Sequence, residues 1–188
     1  FTGTATGDLA ITSVLFTSTG DGWNFAACTS GCFETGFSNN LNAGDDSLLQ
    51  ATLPFPFTFH GRTVATSIQI DPEVAICPWW DDLNAAAAGG VYFDTFTGPD
   101  RAVITWDQVP QFNGTDANTF QVTLYATGDF RITWQAGCLD DALVGVTSGF
   151  GVADPGPIDW TTAVPGSLTG LGGFPLEIRG APNSVPNI

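Results

Sequence analysis

Lysine and methionine are missing from this 188-residue chain, and four arginines face 19 acids, for a formal net charge of −15. Such a surface repels phosphate backbones and anionic headgroups, so neither nucleic acid nor a membrane surface is an expected partner. No apolar run reaches the roughly 18 residues of a helical membrane span, and insertion into a membrane is not expected. Histidine occurs once, at His60, after an aromatic segment where a turn or packing role suits it, and no GxSxG nucleophile elbow is found. Glutamate is almost as scarce. Glu34, Glu73 and Glu177 stand in no recognisable setting for the paired carboxylates of glycoside hydrolysis, and acids adjacent on a strand point to opposite faces. The chain therefore reads as non-enzymatic.

What is abundant points to a folded β protein. The sequence is 43% apolar with 15 Phe and 6 Trp, which is too hydrophobic for a disordered acidic chain. The many Asp, Gly and Pro residues are turn formers, so the polar residues belong mainly to connections between short strands. In Thr119–Trp134, Phe120, Val122, Leu124, Phe130, Ile132 and Trp134 alternate with Gln121, Thr123, Arg131 and Thr133. A period of two over both runs predicts a half-buried antiparallel hairpin, with Gly128-Asp129 as its turn.

Further strands are expected over Asp8–Thr17, Ser67–Ile70, Val74–Cys77, Val91–Asp94, Ala102–Gln108, Leu143–Val146 and Leu176–Arg179. Phe55, Phe57 and Phe59 share a face of another, but Pro54 and Pro56 confine it to a sheet edge. Gly20–Gly44 and the Gly/Pro-rich Gly149–Pro175 read as irregular connections, and the Ala run before Gly90 as a loop. The prediction is an all-β fold, an antiparallel two-sheet β-sandwich of jelly-roll-like type with long loops and little helix. One domain spans residues 1–188, with a Gly-rich arm at 1–7 and a polar tail at 180–188.

Cys28, Cys32, Cys77 and Cys138 allow three pairings. The favoured one joins Cys28 to Cys32 across a tight loop and Cys77 to Cys138, tying the PWWDD strand to the end of the hairpin. A zinc site is disfavoured, because no CxxC pair occurs and His60 stands apart. An even cysteine count and a start at Phe1, as in a precursor that has lost its signal segment, lead to the expectation of a secreted, extracellular or cell-surface protein.

The order LPFPFTFHGRT, ICPWWDDL, GGVYF, AVITWDQVP, NTFQVTLYATGDFRITW and ALVGVTSG resembles the nidogen-like domain over roughly residues 53–149. That family carries an apolar-P-[FW]-W-x-D segment, a GGVYY strand and an N-T-F-Q-x-x-L-x-x-D-G hairpin. The ATGDF turn inverts the family's Asp-Gly order, and both ends of the chain fall outside the match. The resemblance implies a non-enzymatic extracellular module of matrix, adhesion and surface proteins.

Pro78-Trp79-Trp80-Asp81-Asp82 is the sharpest local signal. As a ligand site, a Trp face would stack a sugar while Asp81 and Asp82 bind hydroxyls or calcium. As structure, one Trp enters the core, the other lies over a sheet end, and an Asp bonds loop amides. The structural role is favoured. Acid pairs Asp45-Asp46, Asp81-Asp82 and Asp140-Asp141 fall in expected loops without the spacing of a dedicated calcium motif, so calcium is the one cofactor to consider. Asn113-Gly114-Thr115 fits the N-glycosylation sequon.

The expected function is an extracellular structural or adhesion subunit that assembles with copies of itself into a surface filament or layer, by strand exchange through the N-terminal segment. The alternative is a carbohydrate-binding or calcium-dependent lectin-like module centred on PWWDD, with carbohydrate or matrix as partner.

Overall fold

A computed structural model describes residues 12–20, 22–59, 62–64, 75–135, 138, 142–147, 166–168 and 176–179. Its twelve strands are β1 Ser13–Ser18, β2 Trp23–Ala27, β3 Phe57–Phe59, β4 Arg62–Val64, β5 Ala75–Trp80, β6 Gly90–Phe96, β7 Arg101–Val109, β8 Asn118–Tyr125, β9 Phe130–Trp134, β10 Ala142–Thr147, β11 Gly166–Leu168 and β12 Leu176–Arg179. No helix occurs among the described residues. A seven-stranded antiparallel sheet runs β11-β2-β1-β9-β8-β7-β6, beside a three-stranded sheet β12-β10-β5 and the β3-β4 hairpin. The fold is all-β and sandwich-like, as expected.

The predicted hairpin forms with its apolar residues in register. Phe120 opposes Trp134, Val122 opposes Ile132 and Leu124 opposes Phe130. β1 extends this face by placing Phe16 opposite Phe130, with rings stacked at 4.3 Å between centroids. Trp23 then closes on Phe59 and Phe130 at 4.8 and 5.3 Å, so the PFPFTF segment is the lid of one end of the core. Trp79, Val144 and Val146 cover the other end from the smaller sheet. The two sheets are also joined by a polar bond, the Trp134 indole N–H donating to the Pro78 carbonyl at 2.7 Å.

Two features depart from expectation. Gly20–Gly44 is not all loop, because Trp23–Ala27 forms β2, paired with β1 and β11. Its short alternation, Trp23 and Phe25 in and Asn24 and Ala26 out, is hard to see among flanking Gly, Asn and Ser. The hairpin, moreover, is buried on both faces. Gln121, Thr123, Arg131 and Thr133 are as hidden as the aromatic residues opposite them.

The cover is the segment 28–41, a strap laid over the polar face. The Gln121 side chain accepts the Glu34 N–H at 2.9 Å and donates to the Glu34 carbonyl and Thr105 Oγ1, both at 2.8 Å. Thr133 donates to the Cys32 carbonyl at 2.9 Å. Buried amides and hydroxyls are costly without partners, and strap backbone supplies them for Gln121 and Thr133. Beyond Glu34, the Asp94 carboxylate accepts the Ser38 N–H at 3.0 Å. Leu41 N–H then bonds Val91 C=O, and Phe93 N–H bonds Asn39 C=O, which blunts the exposed edge of β6.

The predicted Cys28–Cys32 disulfide is present at the root of the strap, with Cα atoms 6.0 Å apart. Because the closed loop is short, loop-closure entropy limits its contribution to about 2 kcal/mol. Reduction, or Cys28→Ser with Cys32→Ser, is expected to lower the unfolding free energy by no more than that in urea titration. A larger loss would mean that the bridge holds the strap's native conformation directly.

Of the N-terminal segment, Ser13–Ser18 is an interior strand of its own sheet, between β2 and β9. Residues 1–11, His60, Ser67–Ile70, Asp140-Asp141 and the 180–188 tail lie outside the described residues.

Candidate functional site

β5 is the edge of the smaller sheet, where Pro78 leaves no ladder partner without a donor. Strand alternation sends the two tryptophans to opposite sides. Trp79 is 3% exposed, its ring 6.4 Å from Phe120, whereas Trp80 is 50% exposed. The structural reading of the pair therefore holds for Trp79, and Trp80 leaves an aromatic face at the surface.

The chain beyond Trp80 is stitched to the turn that follows β7. Asp81 Oδ1 accepts the Asp82 N–H at 2.8 Å, and Oδ2 accepts from the Gln111 side-chain amide. The Asp82 carbonyl accepts the Phe112 N–H at 2.6 Å, and Leu83 bridges Gln111. Asp81 is thereby committed to holding the two loops together.

Asp82 is turned to other partners. Its carboxylate lies with those of Asp45 and Asp46 in a group in which one oxygen from each residue is within 4.8 Å of the other two. The sequence presents Asp45-Asp46 and Asp81-Asp82 as separate pairs, and no spacing announces that one member of the second joins both of the first. Carboxylates this close suit a hard cation, which takes several oxygen ligands. Of the expected metal residues, Asp82 joins the group, Asp81 does not, and Asp140 and Asp141 are outside the described residues.

The large exposed hydrophobic side chains among the described residues are Leu48 (70%), Trp80 (50%) and Phe112 (47%). All three belong to segments that meet at Asp82. Leu48 follows Asp46 by two residues, Trp80 precedes Asp82 by two, and Phe112 is bonded to Asp82 through its backbone. An exposed apolar group of this kind beside carboxylates can stack a flat apolar partner or a sugar face and hold a hydroxyl or a cation.

The second expected disulfide does not form, and Cys77 and Cys138 are not bridged to one another. The register of β5 on β10 sets Cys77 opposite Gly145, while Cys138 turns toward β8, its thiol donating to the Thr119 carbonyl at 3.4 Å. Burial pushes the Cys77 thiol up to about 11 and the Cys138 thiol up to about 12. Both stay protonated at neutral pH and are poor nucleophiles.

Glu34, which offered no recognisable setting in the sequence, is the acid with the most developed surroundings. Arg101 grips it at 2.8 and 3.1 Å, and Arg131 approaches to 3.7 Å. Hydrogen bonding to Arg101, helped by both guanidinium charges, holds its carboxyl below the usual range despite partial burial. This is the signature of an anchor for the strap rather than of a proton donor, whose carboxyl would be pushed up.

Compared with known protein families, curated proteins and solved structures, the chain matches none.

Proposed function

We propose that this chain is a non-enzymatic extracellular structural or adhesion module that associates, first with copies of itself, through the surface around Asp82. The observation that carries the reading is that Leu48, Trp80 and Phe112, the large hydrophobic side chains exposed among the described residues, all stand on segments that meet at Asp82. Exposed apolar groups gathered at one place mark contact surfaces. The nidogen-like resemblance over residues 53–149 and the Cys28–Cys32 disulfide support the extracellular part of the reading. With β1 an interior strand of its own sheet, association through side chains asks less rearrangement than exchange of residues 13–17.

Self-association of a chain with net charge −15 works against repulsion, so salt should favour it. Sedimentation velocity is expected to show larger species as sodium chloride rises, and their loss in the Leu48→Ser, Trp80→Ser, Phe112→Ser triple variant. A wild type that stays monomeric at every salt and protein concentration, or a variant that associates equally well, overturns the proposal.

A second reading is favoured by the Asp45, Asp46 and Asp82 group beside half-exposed Trp80, namely a calcium-dependent, lectin-like site for carbohydrate. Calcium at 100 times its dissociation constant would stabilise the fold by about 2.7 kcal/mol. An unchanged melting temperature between calcium and chelator removes this reading and leaves the first intact.

A further inference from the structure

Asn113 is the only one of nine asparagines in the chain followed two positions later by Ser or Thr. Its place in the fold fits that pattern. Phe112 and Asn113 are the central residues of a turn closed by the Gly114 N–H donating to the Gln111 carbonyl at 2.9 Å. Asn113 has φ 58°, in the left-handed region that Asn tolerates better than most residues. Phe112, Asn113, Gly114 and Thr115 are all exposed. At Gly114 a Cβ would come within 2.5 Å of the Asp116 carboxylate, which would then have to shift.

The use made of the carboxamides separates Asn113 from most other asparagines. Those of Asn39, Asn40, Asn42, Asn84 and Asn118 each hold backbone through hydrogen bonds. Among the described residues the Asn113 carboxamide and the Thr115 hydroxyl make no hydrogen bond, so a group attached at Nδ2 would break none of those on which this turn is built.

We propose that Asn113 is the acceptor of an N-linked glycan. The donor class is an oligosaccharide carried on a lipid diphosphate. The Asn113 Nδ2 attacks the anomeric carbon, the N–C bond forms, the C–O bond to the diphosphate breaks with its electron pair leaving on the lipid diphosphate, and the Nδ2 proton passes to a base of the transferase. The inference rests on the extracellular part of the proposed function, because this transfer takes place on exported chains.

The chain is to be expressed behind a signal segment in a eukaryotic secretory host and its intact mass measured before and after amidase removal of N-glycans. The expected result is one oligosaccharide per chain in most molecules, mapped by peptide mass spectrometry to position 113. Thr115→Ser should retain it, and Thr115→Ala and Asn113→Gln should abolish it with unchanged far-UV circular dichroism. A folded wild type with unmodified Asn113 overturns the proposal. Should the chain remain in the cells, the same digestion still reads acceptance at Asn113, while failure to reach the medium counts against the extracellular reading instead.

Discussion

Trp79→Ala is expected to lower the unfolding free energy by about 3–5 kcal/mol, and Trp80→Ala by no more than about 1 kcal/mol, although the two residues are neighbours of the same type. Trp79 fills the space between the smaller sheet and Phe120, and its removal leaves a cavity that the surrounding strands cannot close. Trp80 leaves half its surface in water before and after truncation. Urea titration followed by far-UV circular dichroism reads both variants without depending on the fluorophore that is removed. Equal losses would mean that Trp80 is part of the core and would withdraw it as a contact residue. Little loss for Trp79 would contradict its place between the sheets.

Glu34→Gln is expected to cost about 2–3 kcal/mol at neutral pH, because it weakens a two-pronged bond to Arg101 and leaves the charge of buried Arg131 without its acid. The same carboxyl makes a pH prediction. Its folded-state titration lies below the ordinary value of 4.5, so its contribution is fully present above about 4.5 and is lost as pH falls through the lower folded-state value. The stability gap between wild type and variant should therefore narrow as the solution is acidified from pH 4.5, in urea titrations repeated across that window. Parallel curves would mean that the strap is held by its backbone bonds to Gln121 and Thr133 alone.

How much of this was legible beforehand differs by region. From Val91 to Trp134 the strands lie within one or two residues of their predicted limits, since alternation there is strict and the turn residues are unambiguous. β2 was hidden because five residues with two aromatic positions carry too little periodicity to stand out among turn formers. The polar face of the hairpin was misread for a different reason. Gln121, Thr123, Arg131 and Thr133 look like a solvated face in any sequence, and become buried because the strap, distant along the chain, brings carbonyls, an amide and Glu34 to meet them. The second disulfide failed on register, which sets Cys77 against Gly145.

Legible in the sequence alone were the all-β class, the paired strands at its centre and the acidic composition, all of them properties carried by local alternation, turn chemistry and residue counts, whereas the Cys28–Cys32 bridge was one of three open pairings. Tertiary structure alone decided which tryptophan of PWWDD is core and which is surface, that Asp82 rather than Asp81 joins Asp45 and Asp46, and that the segments carrying exposed Leu48, Trp80 and Phe112 meet at Asp82. Those outcomes depend on how separate loops dock against one another, through bonds such as Phe112 N–H to Asp82 C=O, and no residue spacing along the chain encodes them.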